Sequence, residues 1–175
     1  MKNTKIKNTI ITAMLLAVGY LLPLLTGQVK GIGKMLLPMH IPVILCGFIC
    51  GPWYGIVLGI LLPLTRSLLF GMPQLFPSAV AMMPELAAYG FVTGFIYDKS
   101  KNKNTVFVYA AMIPAQIIGR IVWGIARMLL SGVAGNFSLA LFMAGAFTEA
   151  IPGIILQLIL IPIIMGIYNI FYKSV

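Results

Sequence analysis

The stretch HIPVILCGFICGPWYGIVLGILLPLTRSLLF, residues 40–70, carries one formally charged side chain, Arg66, and one histidine, His40. A helix needs about twenty mostly apolar residues to cross a hydrocarbon core of about 30 Å. The part after the Gly51-Pro52 break is long enough to do so. The part before it, bounded by Pro38, Pro42 and Gly51-Pro52, is short for a full span and reads as tilted, broken or partly buried in protein.

The rest of the chain agrees with this stretch. Of its 175 residues 61% are hydrophobic and 9% charged, and mean hydropathy is +1.05. A soluble domain carries roughly a quarter charged residues, which form its polar shell. The bilayer is therefore the solvent, and disorder is excluded. A disulfide scaffold is excluded too, because Cys46 and Cys50 lie in one apolar run at an i, i+4 spacing that suits packing. The net charge of +9 would suit nucleic acid if the lysines formed a face on a soluble fold. They sit instead in short tails and loops, which points to membrane topology and to no nucleic-acid partner.

Hydropathy read against Gly, Pro and charged breaks predicts an all-α integral membrane protein, residues 1–175 forming a single domain of six transmembrane helices. The segments are Thr9 to Leu25, Met39 to Cys50, Trp53 to Phe70, Ser78 to Tyr97, Thr105 to Leu130 and Leu141 to Tyr172. The first resembles a signal peptide but lacks a clean small-x-small cleavage site, so it reads as a retained span. Lys2, Lys5, Lys7, Lys99, Lys101, Lys103 and Lys173 then fall on one side, against Lys30 and Lys34 on the other. The positive-inside rule makes the richer side cytoplasmic, with both termini inside.

Ionisable groups within spans cost about 2.5–3.5 kcal/mol each on insertion scales and are functional candidates by default. Arg66, Glu85, Arg120, Arg127 and Glu149, with His40, all fall in the outer half of the membrane. On the fifth helix Gln116, Arg120, Trp123 and Arg127 share a face. Glu85 and Tyr89 are one turn apart on the fourth, and Glu149, Gly153 and Gln157 form a row on the sixth. These rows describe a pocket opening outward. The competing reading is that the charges merely pair as Arg–Glu bridges between helices. Three arginines against two glutamates leave one positive charge, which suits a carboxylate or other anionic group, unless Arg66 and Arg127 snorkel into headgroups.

The first helix places small residues at every fourth position, Thr9, Ala13 and Ala17, a stripe that lets another helix approach closely or packs within the bundle. Pro23, Pro63, Pro84, Pro114, Pro152 and Pro162 lie within spans, where freed carbonyls bend helices or line a cavity. The segment from Gly27 to Pro38 reads as a lid over the pocket or as a plain connector. No Walker loop, metal-ligand cluster or Gly-x-Ser-x-Gly elbow is present, so the expected protein is no enzyme and holds no metal. No internal repeat of the kind that most secondary transporters carry is visible.

Residues Ile41 to Gly59, with the pattern Ile-Pro, Gly-Phe, Gly-Pro and Gly, resemble the second-to-third-helix signature of the S components of energy-coupling factor transporters, especially the riboflavin-type branch. The length and six-helix plan extend the resemblance over the whole chain. It implies a high-affinity binding subunit for a water-soluble vitamin or related micronutrient in a bacterial plasma membrane. It also implies partners: a transmembrane coupling subunit and two cytoplasmic ATPases that use the ATP, so that this chain binds no cofactor. The row Thr9, Ala13 and Ala17 looks like the family's docking surface, and Gly27 to Pro38 like its gate. Riboflavin-type members often have an acidic residue before Ile-Pro, where this chain has His40. A carboxylate-bearing vitamin such as pantothenate or nicotinate is therefore preferred, with riboflavin or another vitamin left open. The alternative from a different class is a self-sufficient oligomeric channel or carrier for an anion, with Arg120 and Arg127 as a selectivity ring. It calls for polar residues through the full bilayer depth, whereas the inner half of each helix is apolar.

Overall fold

A computed structural model describes residues 2–26, 36–100, 104–133 and 150–173. Six α-helices account for nearly all of them, and no strand occurs among the described residues. They are α1 (Lys2–Thr26), α2 (His40–Cys50), α3 (Pro52–Phe70), α4 (Val80–Lys99), α5 (Thr105–Val133) and α6 (Ile151–Lys173). A π-helical turn, Leu75–Ala79, leads into α4. All except α2 are long and apolar enough to cross a membrane.

The differences from the sequence reading have local causes. α1 starts at Lys2 rather than Thr9, because Lys2, Lys5 and Lys7 are good helix formers and nothing before Pro23 breaks the helix. α4 begins at Val80 rather than Ser78, since Pro73 and Pro77 leave a π turn ahead of it. α6 begins at Ile151, with Pro152 in the first turn where its missing N–H leaves no bond unmade. Residues 141–149, expected to open that helix, lie outside the described residues, as do 27–35 of the expected lid.

The signature stretch builds a tight corner. Gly51 turns the chain at φ 96°, a conformation that favours glycine, and its N–H bonds the Gly47 carbonyl at 3.1 Å. Pro52 then opens α3, its fixed φ suiting the first helical turn. This corner lies flat against α4: a Cβ on Gly55 would come within 2.6 Å of the Gly90 carbonyl oxygen, and one on Gly90 within 2.5 Å of the Gly55 backbone. Small residues here allow helix backbones to touch, as lipid-embedded packing favours. The Gly-rich motif is thus an instruction for close contact with α4.

α4 is the hub, packed by α2, α3 and α5. Its Leu86, Tyr89 and Tyr97 are fully buried, as are Val43, Ile44 and Cys46 of α2. Short and enclosed, α2 is buried along nearly its whole length, which answers the question raised by its span-deficient length. α1 is the opposite, with 11% of its apolar window inside the bundle against 50% for the segment containing α4.

Candidate functional site

Glu85 on α4 organises the polar interior. Its Oε1 lies 3.3 Å from Nε2 of His40, the first residue of α2, and 3.3 Å from Nη1 of Arg120 on α5. The Glu85 and His40 side chains are 2% and 1% exposed and that of Arg120 13%, so the ion pair is held away from water. The Tyr89 ring, one turn beyond Glu85, meets the His40 ring edge-on with centroids 5.1 Å apart. Gly119, beside Arg120, lets α5 approach: a Cβ there would lie 2.6 Å from the Tyr89 ring. The Arg120 guanidinium stands 5.9 Å from the Trp123 ring centroid, within cation–π range. Four residues expected at the site from separate helices, His40, Glu85, Tyr89 and Arg120, thus form one cluster, with Trp123 at its edge.

The second pair of expected residues also meets. Gln116 Nε2 on α5 donates to Gln157 Oε1 on α6 at 2.6 Å, and both side chains are buried. After these bonds, six buried atoms have no hydrogen-bond partner among the described residues: His40 Nδ1, Tyr89 Oη, Gln116 Oε1, Arg120 Nε and Nη2, and Gln157 Nε2. Native interiors rarely leave such groups unpaired, because each costs about 1–3 kcal/mol. All six belong to residues already marked in the sequence as candidates for ligand contact. All six atoms are buried inside the bundle.

The remaining candidates are placed apart from this cluster. Arg66 donates from Nη1 to the Tyr20 carbonyl at 3.2 Å and lies over the Phe70 ring at 5.7 Å, tying α3 to α1. Its neighbour Thr65 accepts from the Tyr20 hydroxyl at 2.7 Å, a link that no periodicity in the sequence announces. Arg127 donates to Ser78 Oγ at 3.4 Å. Neither is paired with a carboxylate among the described residues. Glu149 lies outside the described residues, so the three-against-two charge count is only partly visible: Glu85 offsets Arg120, while Arg66 and Arg127 bond neutral oxygens. The bridging alternative therefore holds for Arg120 with Glu85, though it leaves the other edge of Arg120 unused.

An open cavity of about 450 Å³ lies at the opposite end of the bundle, where α2 ends, lined by Lys7, Asn8, Cys50, Asp98 and Tyr168 among others. It is remote from the buried cluster, and its openness to the surface makes it the weaker claimant to a ligand that must be enclosed. Among the described residues no group of three His, Cys, Asp or Glu side chains could hold a metal ion. Thr9, Ala13 and Ala17 are exposed on α1. They form no part of the bundle interior, which removes internal packing as the reason for the stripe.

What the buried cluster offers is a set of fixed donors and acceptors inside an apolar helical bundle. Neither a curated protein nor a solved structure matches the chain. A model of the family described as "ECF transporter, substrate-specific component" matches residues 7–165. With a membrane-spanning helical bundle, a buried polar site and a family match over most of its length, the chain belongs to the substrate-specific components of ECF transporters: multi-pass cell-membrane proteins that bind substrate as transport subunits, associate with transmembrane and ATPase subunits, and are not enzymes.

Proposed function

We propose that this chain is the high-affinity binding subunit for a water-soluble vitamin bearing a carboxylate, such as pantothenate or nicotinate, in an ATP-driven uptake system. The observation that carries the reading is the unused edge of Arg120. Nη1 is spent on Glu85, and Nε and Nη2, which lie side by side on one edge of the planar guanidinium, are buried beside the Tyr89 hydroxyl and make no well-formed hydrogen bond among the described residues. Two parallel N–H groups match the two oxygens of a carboxylate, a geometry that a lysine could not offer. Arg66 and Arg127, at the same end of the bundle and paired only with neutral oxygens, add a positive field that favours an anion. Tyr89 Oη and His40 Nδ1 supply further polar contacts in the same layer.

On this reading the basic tails mark the cytoplasmic face, so that the Glu85 cluster lies in the outer half of the membrane. The ligand enters from outside, and the exposed row Thr9, Ala13 and Ala17 receives a helix of the coupling subunit. Two cytoplasmic ATPases use the ATP, and this chain holds no cofactor of its own. The test is binding and uptake measured side by side. The detergent-purified chain should bind one carboxylate vitamin tightly without turnover, and cells should accumulate it only when the partner subunits are co-expressed. Accumulation against a gradient by liposomes containing this chain alone would sink the subunit reading and favour the self-sufficient carrier.

A further inference from the structure

The bond between Gln116 and Gln157 is incomplete in an informative way. Two facing carboxamides that serve only to tie helices together can close a reciprocal pair, each donating to the other. Here one bond of 2.6 Å forms, and Gln116 Oε1 and Gln157 Nε2 are left without partners among the described residues. Gln157 is 0% exposed and Gln116 7%, so neither atom turns to water for a substitute. Oxygen and nitrogen of a carboxamide exchange places easily in assignment, but exchanging both residues here leaves the same set, one acceptor and one donor. The remaining pair is therefore a property of the site.

Position adds the second constraint. Gln116 and Arg120 are four residues apart on α5 and share a face, which separates them by about 6 Å along the helix axis. The free Arg120 edge and the unfinished glutamine pair thus stand one helical turn apart in the same buried layer, with Tyr89 against the intervening Gly119.

We propose that Gln116 and Gln157 form a second subsite that reads an amide-type group of the ligand. An N–H of the ligand donates to Gln116 Oε1, and its C=O accepts from Gln157 Nε2. The substrate class is then a small molecule carrying a carboxylate and, within reach of the neighbouring helical turn, a primary or secondary amide, a lactam or a ureido group. This rests on the reading of Arg120 as the carboxylate site. A ligand with the carboxylate alone leaves two buried polar groups unpaired, and sites of that kind reject the analogue lacking the matching group.

The test uses the full-length purified chain, titrated calorimetrically with pantothenate and biotin, which carry both groups, with nicotinate, which has the carboxylate alone, and with pantothenyl alcohol, which has the amide alone. At least one two-group probe should bind ten times or more tighter than nicotinate and than pantothenyl alcohol. Gln157→Leu should cost that probe at least tenfold and leave the affinity for nicotinate within threefold. Nicotinate binding as tightly as the two-group probes overturns the amide subsite, as does an unchanged affinity in folded Gln157→Leu. If the variant does not fold, the wild-type ranking decides alone. The two readings separate cleanly. A preference for acid over alcohol that Arg120→Lys removes but Gln157→Leu does not touch keeps the carboxylate and discards the amide. Equal binding of acid and alcohol, with both weakened by Gln157→Leu, does the reverse. Binding of none of the four overturns both.

Discussion

Arg120→Lys is the substitution that isolates the fork. Arg120→Ala is a blunter tool, because it would leave the 2%-exposed Glu85 carboxylate with His40 as its only contact from the present cluster. Removing one partner of a buried ion pair costs about 3–5 kcal/mol of stability. Lysine keeps a positive charge near Glu85 and so preserves most of the fold. What it cannot keep is the second edge: in the native protein Nη1 faces Glu85 at 3.3 Å while Nε and Nη2 point elsewhere and make no well-formed hydrogen bond among the described residues. A single ammonium shared between Glu85 and a ligand carboxylate gives up at least one of the two parallel charge-assisted bonds. At about 1.5–3 kcal/mol for a hydrogen bond to a charged group, the expected loss of affinity is about ten- to hundredfold. Isothermal titration of wild type and variant with the carboxylate ligand, together with thermal denaturation of each without ligand, measures both quantities. An affinity within threefold of wild type, in a variant that melts at the same temperature, would refute the reasoning and return Arg120 to a purely structural bridge.

Other substitutions probe other layers. Arg66→Ala should weaken ligand binding no more than about threefold, since its guanidinium is engaged with the Tyr20 carbonyl and Phe70; a loss of tenfold or more in titration would place it at the ligand. Gly90→Ala should lower thermal stability by about 1–3 kcal/mol, because the added carbon meets Gly55 backbone at 2.5 Å, whereas Gly166→Ala on α6 meets nothing and should melt no earlier than wild type. Equal melting of the two variants would count against backbone contact as the role of the Gly55–Gly90 pair. Ala13→Trp, on the exposed face of α1, should leave binding by the purified chain unchanged and abolish uptake in cells carrying the partner subunits; loss of binding instead would assign that row to the bundle.

The boundaries of α2 and α3 were legible because each stops at a residue with a physical reason to stop it. Gly51-Pro52 ends α2 and starts α3, and Gly71 closes α3 in the left-handed conformation with its N–H on Ser67. Periodicity also placed Gln116, Arg120 and Trp123 on one face of α5, and Glu85 with Tyr89 on α4. It could not say which faces meet. That Glu85 takes both His40 and Arg120, while Arg66 turns to Tyr20, depends on how far α3 and α4 slide together, which is set by glycine contacts such as Gly55 with Gly90. The signature stretch displayed these glycines without showing what they touch. The π turn at Leu75–Ala79 was equally hidden, because prolines at 73 and 77 announce a break but not its geometry.

The two halves of the bundle interior carry different obligations. Near the end of α2 that opens with His40, polar atoms are sealed in and left unpaired; near the end that closes with Cys50, Asn8 Nδ2 caps the Cys50 carbonyl at 3.2 Å and Tyr97 pairs with Asn169 at 3.3 Å. A helical bundle in lipid gains little by burying unpaired polar groups, since the same helices could pack with leucine at those positions. Retaining six such atoms in the bundle interior therefore lowers the stability of the free protein, and on the proposed reading a complementary ligand recovers that cost on binding. On that reading, affinity comes from completing hydrogen bonds that the chain has already oriented and desolvated, at little further ordering cost. The same logic limits which ligands succeed, because a molecule that satisfies Arg120 and leaves Gln116 and Gln157 unpaired recovers only part of that stored cost.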